Sequence, residues 1–447
     1  MRVLLEALCH LVLRIFFRRI EIVGEAQLPE AGVLLAPNHP NGLLDPLFVF
    51  TCADRKVSFL AKASLFDTFI VKHFVRTFEA LPVYRAQDGH DTKKNAETLE
   101  AAAAVLAGGG AIAIFPEGKS HDAPEISRLK TGAARIALGG RANGPEHAPV
   151  FVVPTGIFYV DKRTFRSDAA LVYGAPVEVP RVALDEAGEV PHEHARALTE
   201  RIDAGLDAVV LQAESHALLH LSALASRLVQ GARIDRGEEP LPVLDGPEDE
   251  GELARERRLR DRMIRRYGEL ETESPGRAEA LVSRMRALEA QFEHHGLDPG
   301  GRARRAFPVG RAAGSLLLLL AAMPLALTGL VLSYPTYRLV GALAARFSKG
   351  EDAAVATLKM LGGLLFFPLT WLACGVSVGL SVGWLNGVVA LLLAPLSSYV
   401  ALRFFEALPR VSAWVRALRL RLTGADVLTT LEAERGALYD ELLAAAE

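Results

Sequence analysis

Two stretches of the chain carry no charged side chain at all, residues 312–337 and residues 360–402. About 20 apolar residues cross the hydrocarbon core of a bilayer as a helix, so the longer stretch has room for two passes and the shorter for one. Lys and Arg cluster at their borders. Arg302, Arg304, Arg305 and Arg311 precede the first run, Arg338, Arg346 and Lys349 follow it, and Arg403, Arg410, Arg416, Arg419 and Arg421 follow the last. Basic loops favour the cytoplasmic side. The expected membrane region is therefore residues 306–410. Residues 312–337, with Pro324 and Pro335, form a re-entrant or spanning segment there, and residues 360–402 form a transmembrane hairpin. Residues 411–447 become a cytosolic C-terminal helix, and the rest of the chain faces the cytosol.

The polar residues of the N-terminus fall at Arg2, Glu6, His10, Arg14 and Arg18, a four-residue step that keeps them in one drifting stripe on a helix. Residues 1–19 then read as an amphipathic helix at the membrane interface, or as a first helix packed on the domain that follows. The interrupted apolar run and the lack of a small-residue cleavage site do not fit a signal peptide. Residues 20–180 alternate short apolar runs (32–36, 57–61, 80–84, 111–115, 150–153, 170–173) with helical patterns over 92–106 and 129–139. The expected class is α/β, a mixed, mostly parallel sheet flanked by helices. Residues 181–305 read as a helical and charged linker region: helix over 190–232, an acidic linker over 236–252, and a solvent-exposed arm over 253–296.

The net charge of −3 supplies no basic excess for a nucleic acid. Cys9, Cys52 and Cys374 lack metal-ligand or paired spacing, so no metal site or cofactor is expected. The chemistry concentrates instead at the carboxyl ends of predicted strands, where open α/β sheets bind ligands. Residues 38–46 read Asn-His-Pro-Asn-Gly-Leu-Leu-Asp-Pro. Tyr84-Arg85 follows the third run, Pro116-Glu117-Gly118-Lys119-Ser120-His121 the fourth, and Pro154-Thr155-Gly156 the fifth. A neutral His39 can take a proton from an alcohol, and Asp45 can hold its ring in the useful tautomer. Asp45 before Pro46 also suits a helix N-cap, and the spacing alone equally fits a loop histidine beside a capping aspartate. Arg85, Lys119 and Lys130 could clamp a phosphate. With no nucleophilic Ser or Cys motif, the pattern points to direct attack by an acceptor hydroxyl on an activated acyl group.

Taken together, Asn38–Pro46, Leu81–Arg85, Phe115–His121 with Leu129–Ala133, and Val152–Ile157 resemble the four ordered blocks of the phospholipid/glycerol acyltransferase family, most of all its fungal-type branch. The resemblance covers roughly residues 20–180. It implies a membrane enzyme that moves a fatty acyl group from acyl-CoA or acyl-carrier protein to glycerol 3-phosphate or dihydroxyacetone phosphate. A 1-acylglycerol-3-phosphate or other lysophospholipid acceptor, a lipid hydrolase and a non-catalytic scaffold are the alternatives. It also implies His39 as general base, Asp45 as its orienting carboxylate and Arg85 as a phosphate contact. Glu117 and Gly118 would seat the acceptor, Ser120 lies in the same block, and Pro154 belongs to the donor or shaping side. Lys130 is a further phosphate contact expected on its position alone. Two departures stand out. Five residues, not the usual four, separate His39 from Asp45, and Ser120 occupies a slot that usually holds arginine.

Overall fold

The computed structural model describes residues 2–25, 28–53, 55–67, 79–84, 95–239, 241, 251–301, 309–348, 352–423 and 425–444. The chain divides into two compact units, residues 1–212 with 350–357, and residues 213–349 with 358–447.

In the first unit, the run Gly32–Pro37 is apolar throughout, as a strand covered on both faces must be. It forms β2, every residue of which is buried. Around it lie β1 (Arg19–Val23), β3 (Val57–Lys62), β4 (Leu81–Val83), β5 (Ala111–Ala113), β6 (Val150–Tyr159), β7 (Asp168–Tyr173) and β8 (Val177–Glu178). The sheet order is β1-β7-β6-β2-β5-β3-β4, with β8 beside β6. Pairings are parallel except β6 with β7 and β6 with β8, which makes the sheet mixed and mostly parallel.

Alternation along β6 assigns its two faces. Val150 and Val152 join the core built with α3 (Asn95–Ala107), α4 (Gly132–Asn143) and α5 (His192–Val209). On the other face, Tyr159 meets Phe17 and Phe48, which belong to α1 (Arg2–Phe16) and its end and to α2 (Leu44–Cys52). Helix α1 buries Cys9, Val12, Leu13 and Phe16 and leaves Leu8, Leu11 and Ile15 about half exposed. It thus packs on the domain and keeps an apolar stripe outside.

In the second unit, α6 (His216–Asp235), α7 (Glu252–Glu273), α8 (Pro275–His294) and α12 (Ala425–Ala444) share a core of Leu224, Leu228, Leu281, Met285, Leu288, Phe292, Leu431 and Leu438. The exposed arm expected over 253–296 is corrected here. Its charges hide an apolar stripe at four- and three-residue steps, Leu281-Met285-Leu288-Phe292, which is buried. Three further helices, α9 (Val309–Phe347), α10 (Asp352–Val382) and α11 (Trp384–Thr423), contain spans long and apolar enough to cross a bilayer: Leu316–Phe347, Ala354–Val382 and Trp384–Leu420.

A re-entrant dip at 312–337 is not seen, because α9 runs on through Pro324 and Pro335. A helix is the segment-internal way to satisfy backbone groups in lipid, and the Thr328 hydroxyl donates to the Pro324 carbonyl at 3.0 Å. Small residues let the helices approach. A side chain on Gly387 would stand 2.6 Å from the Gly375 carbonyl oxygen. Ser398 accepts from both Ser333 (2.7 Å) and Trp371 (3.0 Å), one from each of the other two helices.

Candidate active site

The loop leaving β2 folds back on itself within one turn. The Asp45 N–H donates to the Asn41 carbonyl (3.1 Å) and the Asn41 N–H to Asp45 Oδ2 (2.6 Å). That return brings His39 Nδ1 within 2.8 Å of Asp45 Oδ2. The extra residue between the two is absorbed in this turn. Asp45 is not the N-cap expected of it. It lies in the first turn of α2, after Leu43, and its side chain points back to the loop instead of capping the helix. The third donor to its carboxylate is the Tyr159 hydroxyl, 2.7 Å from Oδ1.

Asp45 is fully buried, whereas the His39 side chain keeps 14% of its surface open. Of the pair, only the imidazole can be reached. Its ring stacks on Phe115 with centroids 4.0 Å apart, and its Nε2 has no hydrogen-bond partner among the described residues. A carboxylate on Nδ1 makes that nitrogen the donor and leaves the Nε2 lone pair free to accept a proton. Burial pushes the Asp45 carboxyl up, against the hydrogen bond and charge of His39 and the donors Tyr159 and Asn41. Asn38, at the start of the loop, is pinned to β6. It accepts from the Ile157 N–H (2.7 Å) and donates to the Ile157 carbonyl (3.3 Å). At the loop's far side the Leu43 N–H donates to Thr357 (2.9 Å), in the short later segment that folds with this unit.

The turn after β5 brings a second carboxylate. Glu117 is 3% exposed. Its Oε1 accepts the His39 N–H (2.8 Å), and its Oε2 accepts the Ser127 N–H (2.8 Å) and bonds His121 Nε2. Its carboxylate thus ties the histidine loop to Ser127 and His121. Gly118 has a φ of +74°, where L side chains are strained, and a side chain there would stand 2.5 Å from Lys130 Nζ. Lys130 therefore lies over the Glu-Gly turn. Lys119 and Lys130 are exposed and have no side-chain hydrogen bond or ion pair among the described residues. Ser120 is partly buried beside them.

Pro154 is not brought to the pair. The fourth block lies inside β6, not beyond its end, and Pro154 faces α5, where its ring leaves no room for a side chain on Gly205. Arg85 lies outside the described residues. Sequence reasoning missed Tyr159 and Lys162. Lys162 pairs with Asp122 and reaches the Pro40 carbonyl at 3.4 Å. Tyr159 stands five residues beyond Pro154, and only strand alternation continued past the motif could have placed it.

Residues 19–157 match the family model described as Acyltransferase. Glycerol-3-phosphate O-acyltransferase 2 of Saccharomyces cerevisiae is 32% identical over 183 residues, 40% of this chain and 24% of that protein. Glycerol-3-phosphate O-acyltransferase 1 of the same yeast is 34% identical over 125 residues, 28% of this chain and 16% of that protein. The chain thus spans a quarter or less of the length of these relatives. Among solved structures, the 1-acyl-sn-glycerophosphate acyltransferase of Thermotoga maritima is similar with 17% identity and a TM-score of 0.34, covering 46% of this chain and 78% of that one.

Proposed function

We propose that this protein, whose residues 19–157 match the Acyltransferase family model, transfers a fatty acyl group from a thioester donor, acyl-CoA or acyl-carrier protein, to a hydroxyl of glycerol 3-phosphate. The observation that carries the reading is the 2.8 Å contact between His39 Nδ1 and a fully buried Asp45, with the other ring nitrogen left free. The acceptor hydroxyl gives its proton to His39 Nε2 as its oxygen attacks the thioester carbonyl. A C–O bond forms and the C–S bond breaks. The thiolate leaves with the proton that His39 held, and Asp45 stabilises the imidazolium in between. No acyl-enzyme is required.

Lys119 and Lys130, both unpaired among the described residues, supply charge for the acceptor phosphate, with Arg85 a further candidate. The dihydroxyacetone phosphate and lysophospholipid acceptors carry the same phosphate and are separated by experiment. The long apolar helices hold the enzyme at the bilayer where acyl chains partition, with the domain on the cytosolic side favoured by the basic borders.

The test is direct. Purified full-length protein in lipid nanodiscs is given labelled acyl-CoA with glycerol 3-phosphate, dihydroxyacetone phosphate or lysophosphatidate. Acceptor-dependent ester formation, fastest with glycerol 3-phosphate, is expected. Fatty acid release that ignores the acceptor, or no turnover with any donor, would overturn the reading.

A further inference from the structure

The His39 loop is held at both ends by one strand. At its start Asn38 is locked to the Ile157 backbone, and at its end Asp45 takes the hydroxyl of Tyr159, two residues further along the same face of β6. We propose that Tyr159 is a positioning residue for the acyl transfer proposed above, fixing Asp45 so that Oδ2 faces His39 and Oδ1 is occupied. The inference rests on that reading of the reaction.

The geometry leaves Asp45 little freedom. It is fully buried, so water cannot replace a lost donor. Oδ2 serves His39 and the Asn41 N–H, and Oδ1 serves Tyr159. Tyr159 is itself held. Its ring stacks on Phe17 at 5.5 Å between centroids, nearly parallel at 14°, and lies against Phe48 at 6.1 Å. Phe17 and Phe48 are 1% and 0% exposed. Burial keeps the phenol well above its ordinary range, and it remains a donor. Cys52 is the other titratable group acting on Tyr159, and burial pushes its thiol to about 12, so it adds no charge. Without the hydroxyl, Asp45 can turn and the pair takes up a proton more readily, because one donor to the carboxylate is gone.

Tyr159→Phe keeps the ring and its stacking and removes only the hydroxyl. In full-length protein in nanodiscs, kcat is expected to fall about 10–100-fold, the range of one charge-assisted hydrogen bond, with both KM values within about twofold. The acid limb of the kcat profile is expected to move up by roughly one pH unit. A second readout needs no turnover: the pH dependence of His39 carbethoxylation by diethyl pyrocarbonate, followed on the His39 peptide by mass spectrometry. Its midpoint should rise in step. In an Asp45→Ala background, where the hydroxyl has no side chain left to hold, the further loss from Tyr159→Phe should vanish. Phe17→Leu, which loosens the ring but keeps the hydroxyl, should shift the same midpoint less and serves if Tyr159→Phe does not fold. An unmoved midpoint with wild-type kcat, or an equal loss in both backgrounds, overturns the proposal. If the parent protein transfers no acyl group, the function proposed above fails, and the carbethoxylation midpoint still decides the role of Tyr159.

Discussion

Two histidine–carboxylate pairs lie side by side in the first unit, and they are built in opposite senses. His39 meets Asp45 through Nδ1 and leaves Nε2 without a protein partner among the described residues. His121 meets Glu117 through Nε2, and its Nδ1 accepts the Ala123 N–H at 3.1 Å. A neutral imidazole has one donor and one acceptor nitrogen. In His121 both are spent inside the protein, while in His39 the acceptor is kept. A histidine beside a carboxylate thus keeps an acceptor nitrogen in one place and spends both nitrogens in the other. The backbone joins them, since the His121 N–H donates to the His39 carbonyl (3.2 Å) and Glu117 accepts the His39 N–H.

The sharpest way to break this comparison is to remove each ring. His39→Ala is expected to lower kcat about 10³–10⁴-fold, as loss of a general base does, and to cost a few degrees in Tm, since it leaves the buried Asp45 short of one donor. His121→Ala should cost less than about tenfold in kcat and a few degrees in Tm, since it leaves a buried carboxylate oxygen short of one donor. Steady-state rates and thermal unfolding of both variants decide it. Equal losses of kcat would mean that His121 too meets the reacting groups.

Next in size is Asp45→Asn, expected to lower kcat about 10²–10³-fold, since the amide carries no charge to stabilise the imidazolium. Its effect on stability should run the other way. An amide oxygen at the Oδ2 position can still accept from His39 and Asn41, and its NH₂ can donate to Tyr159. Burial raises the Asp45 carboxyl in the folded chain, so its favourable contribution is full below the ordinary carboxylate range. That contribution is lost as pH rises through the raised value. The Tm of Asp45→Asn should therefore gain on the parent as pH climbs from that range towards neutrality. A gap that closes over that window would show that the three donors outweigh the burial.

A third test sharpens the brace. Glu117→Ala strands the N–H groups of His39 and Ser127 and one nitrogen of His121. A clear fall in Tm is expected, and kcat should fall about tenfold because the loop carrying His39 loses its backing. Glu117→Gln should lie between this variant and the parent. If Glu117→Ala raised the KM for the acceptor and left Tm alone, the carboxylate would be touching substrate after all.

Much of the first unit was legible because its signals are local. The apolar runs became β2 to β7, and the Asn41-Gly42 turn returned Asp45 to His39. What sequence could not give was tertiary. Asp45 looked like an N-cap because propensity sees the helix behind it and not the donors in front of it. The backbone N–H groups of His39 and Ser127 that Glu117 accepts are likewise invisible to a motif, which carries residue types alone. Tyr159 lay outside every motif, and its role exists only because β6 continues past the fourth block. In the second unit, the abundant charges over 253–296 masked a buried stripe that periodicity carries plainly once charge is set aside. The prolines of α9 suggested a break, and the helix runs on through both.

The smallest expected effect concerns the turn that delivers Glu117. Lys130 is exposed and unpaired among the described residues, so Lys130→Ala should leave Tm unchanged and raise the KM for a phosphate-bearing acceptor about three- to tenfold at low ionic strength, fading as salt screens the charge. Gly118→Ala acts on the same spot by another route. It forces an alanine to a φ of +74°, at about 1–2 kcal/mol, and pushes against the Lys130 ammonium 2.5 Å away. It should lower Tm and raise the same KM. If Gly118→Ala raises KM while Lys130→Ala does not, the acceptor depends on the shape of the turn that braces His39. If both raise it, and only the lysine effect fades with salt, Glu117 and Lys130 divide the work: one holds the base in place and the other holds the phosphate.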